Sequence, residues 1–158
     1  MKLCLDSDVA IELIRGGRPH YRLRLQEAQE AGASLHLSSI SFHELMAGAM
    51  SSERPEHHMR LVARFAAETE VSVWSADDAM EAARLRADLR KFGAAIDGFD
   101  ALIAGQALNA GWTLVTGNVR EFIPVRGLPL LYWGDPTGPL DRDALLHRAG
   151  MKEWVRRR

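Results

Sequence analysis

The chain has 158 residues, the length of one domain with room for a sizeable core. A hydrophobic share of 47%, a charged share of 26% and a net charge of −1 exclude an intrinsically disordered chain, a collagen-like repeat and a strongly basic coat for nucleic acid. No apolar run of about 18 residues reads as a membrane span, and Asp6 and Asp8 interrupt the apolar region a signal peptide would need. The single cysteine, Cys4, excludes an internal disulfide and fits a reducing, cytoplasmic setting.

Short apolar runs alternate with amphipathic stretches, the pattern of an α/β fold whose helix-linked strands run mostly parallel. Lys2–Leu5 reads as a strand, Asp8–Arg15 as a helix stopped by Gly16-Gly17, Arg18–Ala31 as a second helix, and the alternating Ser34–Ser38 as a second strand. Ser41–Met50 is helical. Ser51–Glu56 is a polar loop, Met59–Glu68 a helix with Leu61, Val62 and Phe65 on one face, and Val71–Trp74 a strand. Two further helices, Asp77–Lys91 and Gly98–Ala110, precede strands at Thr113–Thr116 and Leu128–Tyr132. Gly134 and Pro136 then break the chain before a charged tail, Leu140–Arg158, which reads as one appended helix. The chain thus divides into a domain over 1–133 and an extension over 134–158.

Sites in parallel sheets form at the carboxyl ends of the strands, so residues there carry the functional argument. Asp6 follows the first strand directly and Asp8 stands two residues on; capping the next helix is the plain role open to them, and it suits Asp8 better. Glu44, in ISFHELMAG, falls in the first turn of its helix, where the helix dipole alone favours a carboxylate. In AIDGFDALIAG, Asp97 is the expected cap and Asp100 lies inside the first turn, close enough to the core to need a partner. Thr116 and Asn118 end a strand as turn formers or as donors to a carboxylate, with Glu121 just beyond. Each signal is weak singly. Together they place acidic and amide groups after three strands on one edge, where two carboxylates about 5 Å apart repel by about 3 kcal/mol at an effective dielectric of 20. A cation offsets that cost, and all-oxygen ligands point to Mg²⁺ or Mn²⁺.

The segments LDSDVAIELIRG, ISFHELMAG, DALIAGQAL and LVTGNVREF, in this order, resemble a PIN domain, and more closely the VapC-type toxin ribonucleases of toxin–antitoxin pairs. The resemblance covers roughly residues 1–133. It implies a three-layer α/β sandwich around a mostly parallel sheet, and metal-dependent cleavage of RNA, with a tRNA or rRNA loop as the class of target. It implies Asp6, Glu44 and Asp100 as ligands of Mg²⁺ or Mn²⁺, with Thr116, Asn118 and Glu121 completing the catalytic set. Asn118 departs from the aspartate some members carry there, and Glu121 is the candidate to supply the charge. A VapB-like antitoxin and a homodimer are implied as partners. Arg15 and Arg120 are candidates for phosphate contact.

Other motifs lead elsewhere. His43-Glu44 would open a zincin motif, but Ala47 stands where its second histidine belongs. His57-His58 reads as solvated loop, Cys4 as an inert core residue, and Trp74, Trp112 and Trp133 as packing. Two alternatives stand beside the nuclease. LCLDSDV resembles the Asp-x-Asp opening of haloacid-dehalogenase phosphatases, with Asp6 as nucleophile and Asp8 as acid, although no lysine and acidic pair follow at the required places. A PIN module that binds RNA or a partner without catalysis is the other, suggested by Asn118.

Overall fold

The computed structural model describes residues 1–148. In chain order these form β1 (Lys2–Leu5), α1 (Ser7–Arg15), α2 (Pro19–Glu30), β2 (Ser34–Ser38), α3 (Ser39–Met50), α4 (Pro55–Ala67), β3 (Glu70–Ser72), α5 (Ala76–Lys91), α6 (Gly98–Ala110), β4 (Thr113–Val115), α7 (Val119–Phe122), β5 (Leu130–Tyr132), β6 (Leu140–Asp141) and α8 (Arg142–Arg148). One sheet contains all six strands in the order β3-β2-β1-β4-β5-β6. The first five strands are parallel, and β6 pairs antiparallel with β5.

The apolar strand sequences follow from burial on both faces. Leu3, Leu5, Leu37 and Val115 pack on one side with Val9 and Leu13 of α1, Leu45 and Ala49 of α3, and Val62 and Phe65 of α4. Cys4, Leu114 and Leu130 pack on the other side with Leu85 and Leu89 of α5, Ala101, Ile103 and Ala104 of α6, and Leu145 and Leu146 of α8. The expected three-layer sandwich is the result. Cys4, Trp112 and Trp133 are buried as read from the sequence, and half-buried Trp74 donates Nε1–H to the Leu102 carbonyl at 3.4 Å.

Several boundaries shift for local reasons. The α3 helix starts at Ser39, because the Ser38 hydroxyl accepts the Ile40 N–H at 3.1 Å and caps it early. Pro55, whose missing N–H costs nothing at a first helical position, starts α4 four residues sooner than predicted. His57 and His58 are therefore helical rather than loop residues, and His58 Nδ1 lies 2.7 Å from Ser52 Oγ. The four-residue α7 is too short to show a helical period in the sequence. The tail opens as β6 before α8 begins; its predicted helix beyond residue 148 falls outside the described residues. Arg142 donates Nη2–H to the Ile123 carbonyl at 2.7 Å and Nη1–H to the Leu128 carbonyl at 3.3 Å, while Arg148 pairs with Asp135. Residues 134–148 are thereby packed onto the same sheet as the rest.

The α5–α6 contact depends on a missing side chain. A Cβ at Gly105 would lie 2.6 Å from the Ala82 backbone nitrogen, whereas one at Gly48, also mid-helix, would meet nothing within 4 Å. Gly105→Ala should destabilise the protein by roughly 1–3 kcal/mol through overpacking, and Gly48→Ala should stabilise it by up to about 1 kcal/mol. Urea denaturation of both variants checks the contrast, and equal effects would contradict this packing.

Candidate active site

The strand order places a switch point between β1 and β4: the chain builds outward from β1 through β2 to β3, then returns to the other side of β1 with β4. Crevices for ligands open at such points, beyond the carboxyl ends of the strands. Asp6 is the residue after β1 and Thr116 the residue after β4, and the Thr116 hydroxyl donates to Asp6 Oδ2 at 2.7 Å. Asp6 is 3% exposed and Thr116 fully buried. The other oxygen, Asp6 Oδ1, accepts the Ser7 N–H at 2.8 Å and caps α1. Asp6 is therefore the cap, and the expectation that Asp8 takes that role is corrected.

Asp8 does something the sequence reading missed. Its Oδ2 accepts the Gly117 N–H at 2.9 Å, tying the first turn of α1 to the loop after β4. That approach needs glycine, since a Cβ at Gly117 would stand 2.6 Å from the same oxygen. The signal was present in the glycine between Thr116 and Asn118, but only the fold shows what approaches it. Asn118 enters through its backbone, donating its N–H to Thr116 Oγ1 at 2.9 Å, while its side chain is exposed.

The remaining carboxylates arrive from the helices. Asp97 caps α6 by accepting the Phe99 N–H at 3.0 Å, as predicted, and Asp100 follows half-buried in the first turn. Glu44 is half-buried on α3 but sits in its second turn, because that helix begins at Ser39; the first-turn dipole argument for it therefore falls. Glu121 is half-buried on α7. Of the predicted phosphate contacts, Arg15 is exposed beside a cavity that Glu44 also lines, and Arg120 is exposed next to Glu121.

Electrostatics shows which of these groups sense one another. Burial first, and then the charge of Asp8, push the Asp6 carboxyl up to about 7; Asp100 adds a smaller push. Burial, then Glu121, Asp97, Glu44 and Asp8, push Asp100 up to about 6. Burial raises Asp8 and Glu44 as well, and the Ser7 hydroxyl partly offsets the shift at Glu44. Asp8 Oδ1 and Glu44 Oε2 are buried with no hydrogen-bond partner. The donor chemistry therefore fits a hard divalent cation: all oxygen, mutually repelling, with two buried oxygens left unsatisfied. Among the described residues, no three His, Cys, Asp or Glu side chains close into a ligand set on their own.

The sign of the pH effect follows from the raised values. Between the ordinary carboxyl value near 4 and the folded values near 6 and 7, the folded state holds protons that the unfolded chain has lost, so stability falls as pH rises through this window. Asp6→Asn removes the charge and leaves one oxygen where Asp6 has two, so the amide keeps the cap on the Ser7 N–H with its NH2 turned toward Thr116 Oγ1. In the absence of divalent cations, its stability relative to the parent chain should rise from pH 4 to pH 7.5. Thermal melts across that range measure the difference, and a constant offset would contradict the burial of Asp6.

Comparison with known proteins agrees with this architecture. The PIN domain family matches residues 3–127. The chain is 32% identical over 133 residues to the tRNA(fMet)-specific endonuclease VapC of Shigella flexneri, covering 84% of this chain and 98% of that protein. Among solved structures, DNA-bound VapBC from Salmonella typhimurium superposes with a TM-score of 0.78 at 31% identity, covering 84% of this chain and 98% of that one. VapBC2 from Rickettsia felis, bound to a DNA fragment from its promoter, gives 0.79 at 28% identity, covering 84% and 99%. This overturns the phosphatase reading of Asp6 and Asp8. The chain belongs to the PIN-domain family and, within it, to the VapC-type toxin ribonucleases of toxin–antitoxin systems.

Proposed function

We propose that the chain cleaves RNA endonucleolytically at the carboxylate cluster beyond β1 and β4, with Mg²⁺ or Mn²⁺ as cofactor, in the cytoplasm. The observation that carries this reading is the buried Thr116–Asp6 hydrogen bond at the sheet's switch point, with Asp8 and Asp100 near enough to raise the Asp6 carboxyl. Asp6, Glu44 and Asp100 would hold the cation. When bound, it stabilises charge developing on a phosphoryl group and makes a water nucleophilic at neutral pH.

The chain's own residues set the stage for that chemistry. The Ser7 N–H and the Thr116 hydroxyl each take one oxygen of Asp6, so its remaining lone pairs are fixed in direction before any ligand arrives. The Asn118 N–H holds Thr116 Oγ1 in turn, which turns the threonine hydrogen toward Asp6. Glu44 is less restrained, with one oxygen free of partners, and is suited to adjust to a ligand. Glu121 stands beside Asp100 and supplies the charge that Asn118 lacks. The relative named as specific for tRNA(fMet) supports a tRNA as substrate, and the VapBC structures support a VapB-like antitoxin as partner. A homodimer completes the reading.

A second reading, binding without catalysis, is favoured by the exposed, uncharged Asn118. Incubating the purified, antitoxin-free chain with total cellular RNA separates the two. Cleavage should require Mg²⁺ or Mn²⁺, stop with EDTA, and vanish in Asp6→Asn and Asp100→Asn. Thr116→Val should reduce it by roughly 10- to 100-fold, the range for losing a group that orients a metal ligand. Cleavage by either carboxylate variant at the parent rate would overturn the site, and RNA binding with no cleavage in either cation would establish the second reading.

A further inference from the structure

We infer that Phe99, with His43 beside it, is the surface on which a nucleobase stacks next to the bond being cut; the inference rests on the ribonuclease reading above. Phe99 immediately precedes Asp100 in the first turn of α6, and His43 immediately precedes Glu44 on α3. Successive helical residues diverge by about 100°, so Asp100 and Glu44 each have an aromatic neighbour on an adjoining face of their helix. Phe99 is 45% exposed and His43 is exposed. Their ring centroids are 5.7 Å apart at 62°. An edge-to-face contact of this kind covers at most one face of either ring and leaves flat aromatic surface for a third.

The location is selective. Among the described residues, the large hydrophobic side chains that stand exposed are mostly aliphatic and lie elsewhere, and the aromatic ones are Phe92 and Phe99. The Phe92 ring carries the Arg126 guanidinium at 4.9 Å. Phe99 is held differently: the Asp97 carboxylate fixes its backbone N–H at 3.0 Å, so the ring's origin is set by the same cap that positions Asp100. Because Phe99 and His43 adjoin Asp100 and Glu44 in the chain, an RNA strand with its phosphate at the carboxylates passes beside these rings. Proteins that read single-stranded RNA take up splayed bases on aromatic rings, and stacking of this kind tolerates any base because every base has a π face.

The test uses the full chain, free of antitoxin, and a short RNA spanning a cleavage site mapped in total RNA. Versions of that RNA lacking the base on one or the other side of the cut are compared under single-turnover conditions. Phe99→Ala and Phe99→Leu should each lower kcat/KM on intact RNA by roughly 5- to 150-fold, the range for one base stack, while Phe99→Trp retains activity. On one of the abasic RNAs the parent chain should be equally slowed, and Phe99→Ala should cause no further loss. A Phe99→Leu variant as active as the parent overturns the inference alone, as do Phe99→Ala and abasic losses that simply multiply. Unchanged cleavage by Phe99→Ala together with weakened antitoxin binding also overturns it, assigning the rings to a protein partner. A parent chain that cuts no RNA overturns the reading and the inference together.

Discussion

The hydrogen bond from Thr116 to Asp6 closes the sheet's switch point, and the rest of the site is arranged around it. A carboxylate 3% exposed is costly unless its oxygens are satisfied. Here each oxygen has one donor, one from the helix that Asp6 itself begins and one from the end of the adjacent strand. The pairing of β1 with β4 brings these groups together: the Asp6 N–H donates to the Val115 carbonyl at 2.9 Å, which sets Thr116 alongside. The same bond thus measures the strand register and orients the carboxylate. A slip of one residue would turn Thr116 to the other face of the sheet.

The cluster is a place where the fold accepts instability. Asp6, Asp8, Glu44 and Asp100 all have carboxyls raised by burial, and several raise one another. Groups arranged only for stability would be spread out or paired with lysine and arginine. The two apolar cores on either side of the sheet supply the stability that this concentration of charge removes. Perturbed carboxyls gathered at the mouth of a parallel sheet point to function with a physical basis, and the PIN family assignment gives that basis a chemistry.

Residues 134–148 show how a tail joins such a fold. The β6 strand covers the far side of β5, and Leu145 and Leu146 complete the core on the α5–α6 face. Arg142 satisfies two backbone carbonyls in the segment from Ile123 to Leu128 that the sheet leaves unpaired. A sequence pattern cannot display this, because a two-residue strand has no period and a guanidinium meeting a carbonyl leaves no trace in spacing.

Hydrophobic periodicity by itself determined the class of fold, the order of strands and helices, and most helix stops, because these depend on which residues repeat on one face. It also determined that Asp6, Thr116 and Asn118 stand at strand ends, and that Asp97 caps the helix carrying Asp100. Short-range chemistry that competes among neighbours was beyond it: Ser38 and Pro55 began α3 and α4 earlier than the apolar pattern indicates. Only the tertiary structure decided which of Asp6 and Asp8 caps α1, that Asp8 reaches Gly117, and that Asn118 contributes its backbone rather than its amide. It alone set His43 against Phe99. The Asp8–Gly117 bond spans 109 positions and the His43–Phe99 contact more than 50, and their distances are fixed by strand register and helix packing, quantities that no local pattern in a single sequence encodes.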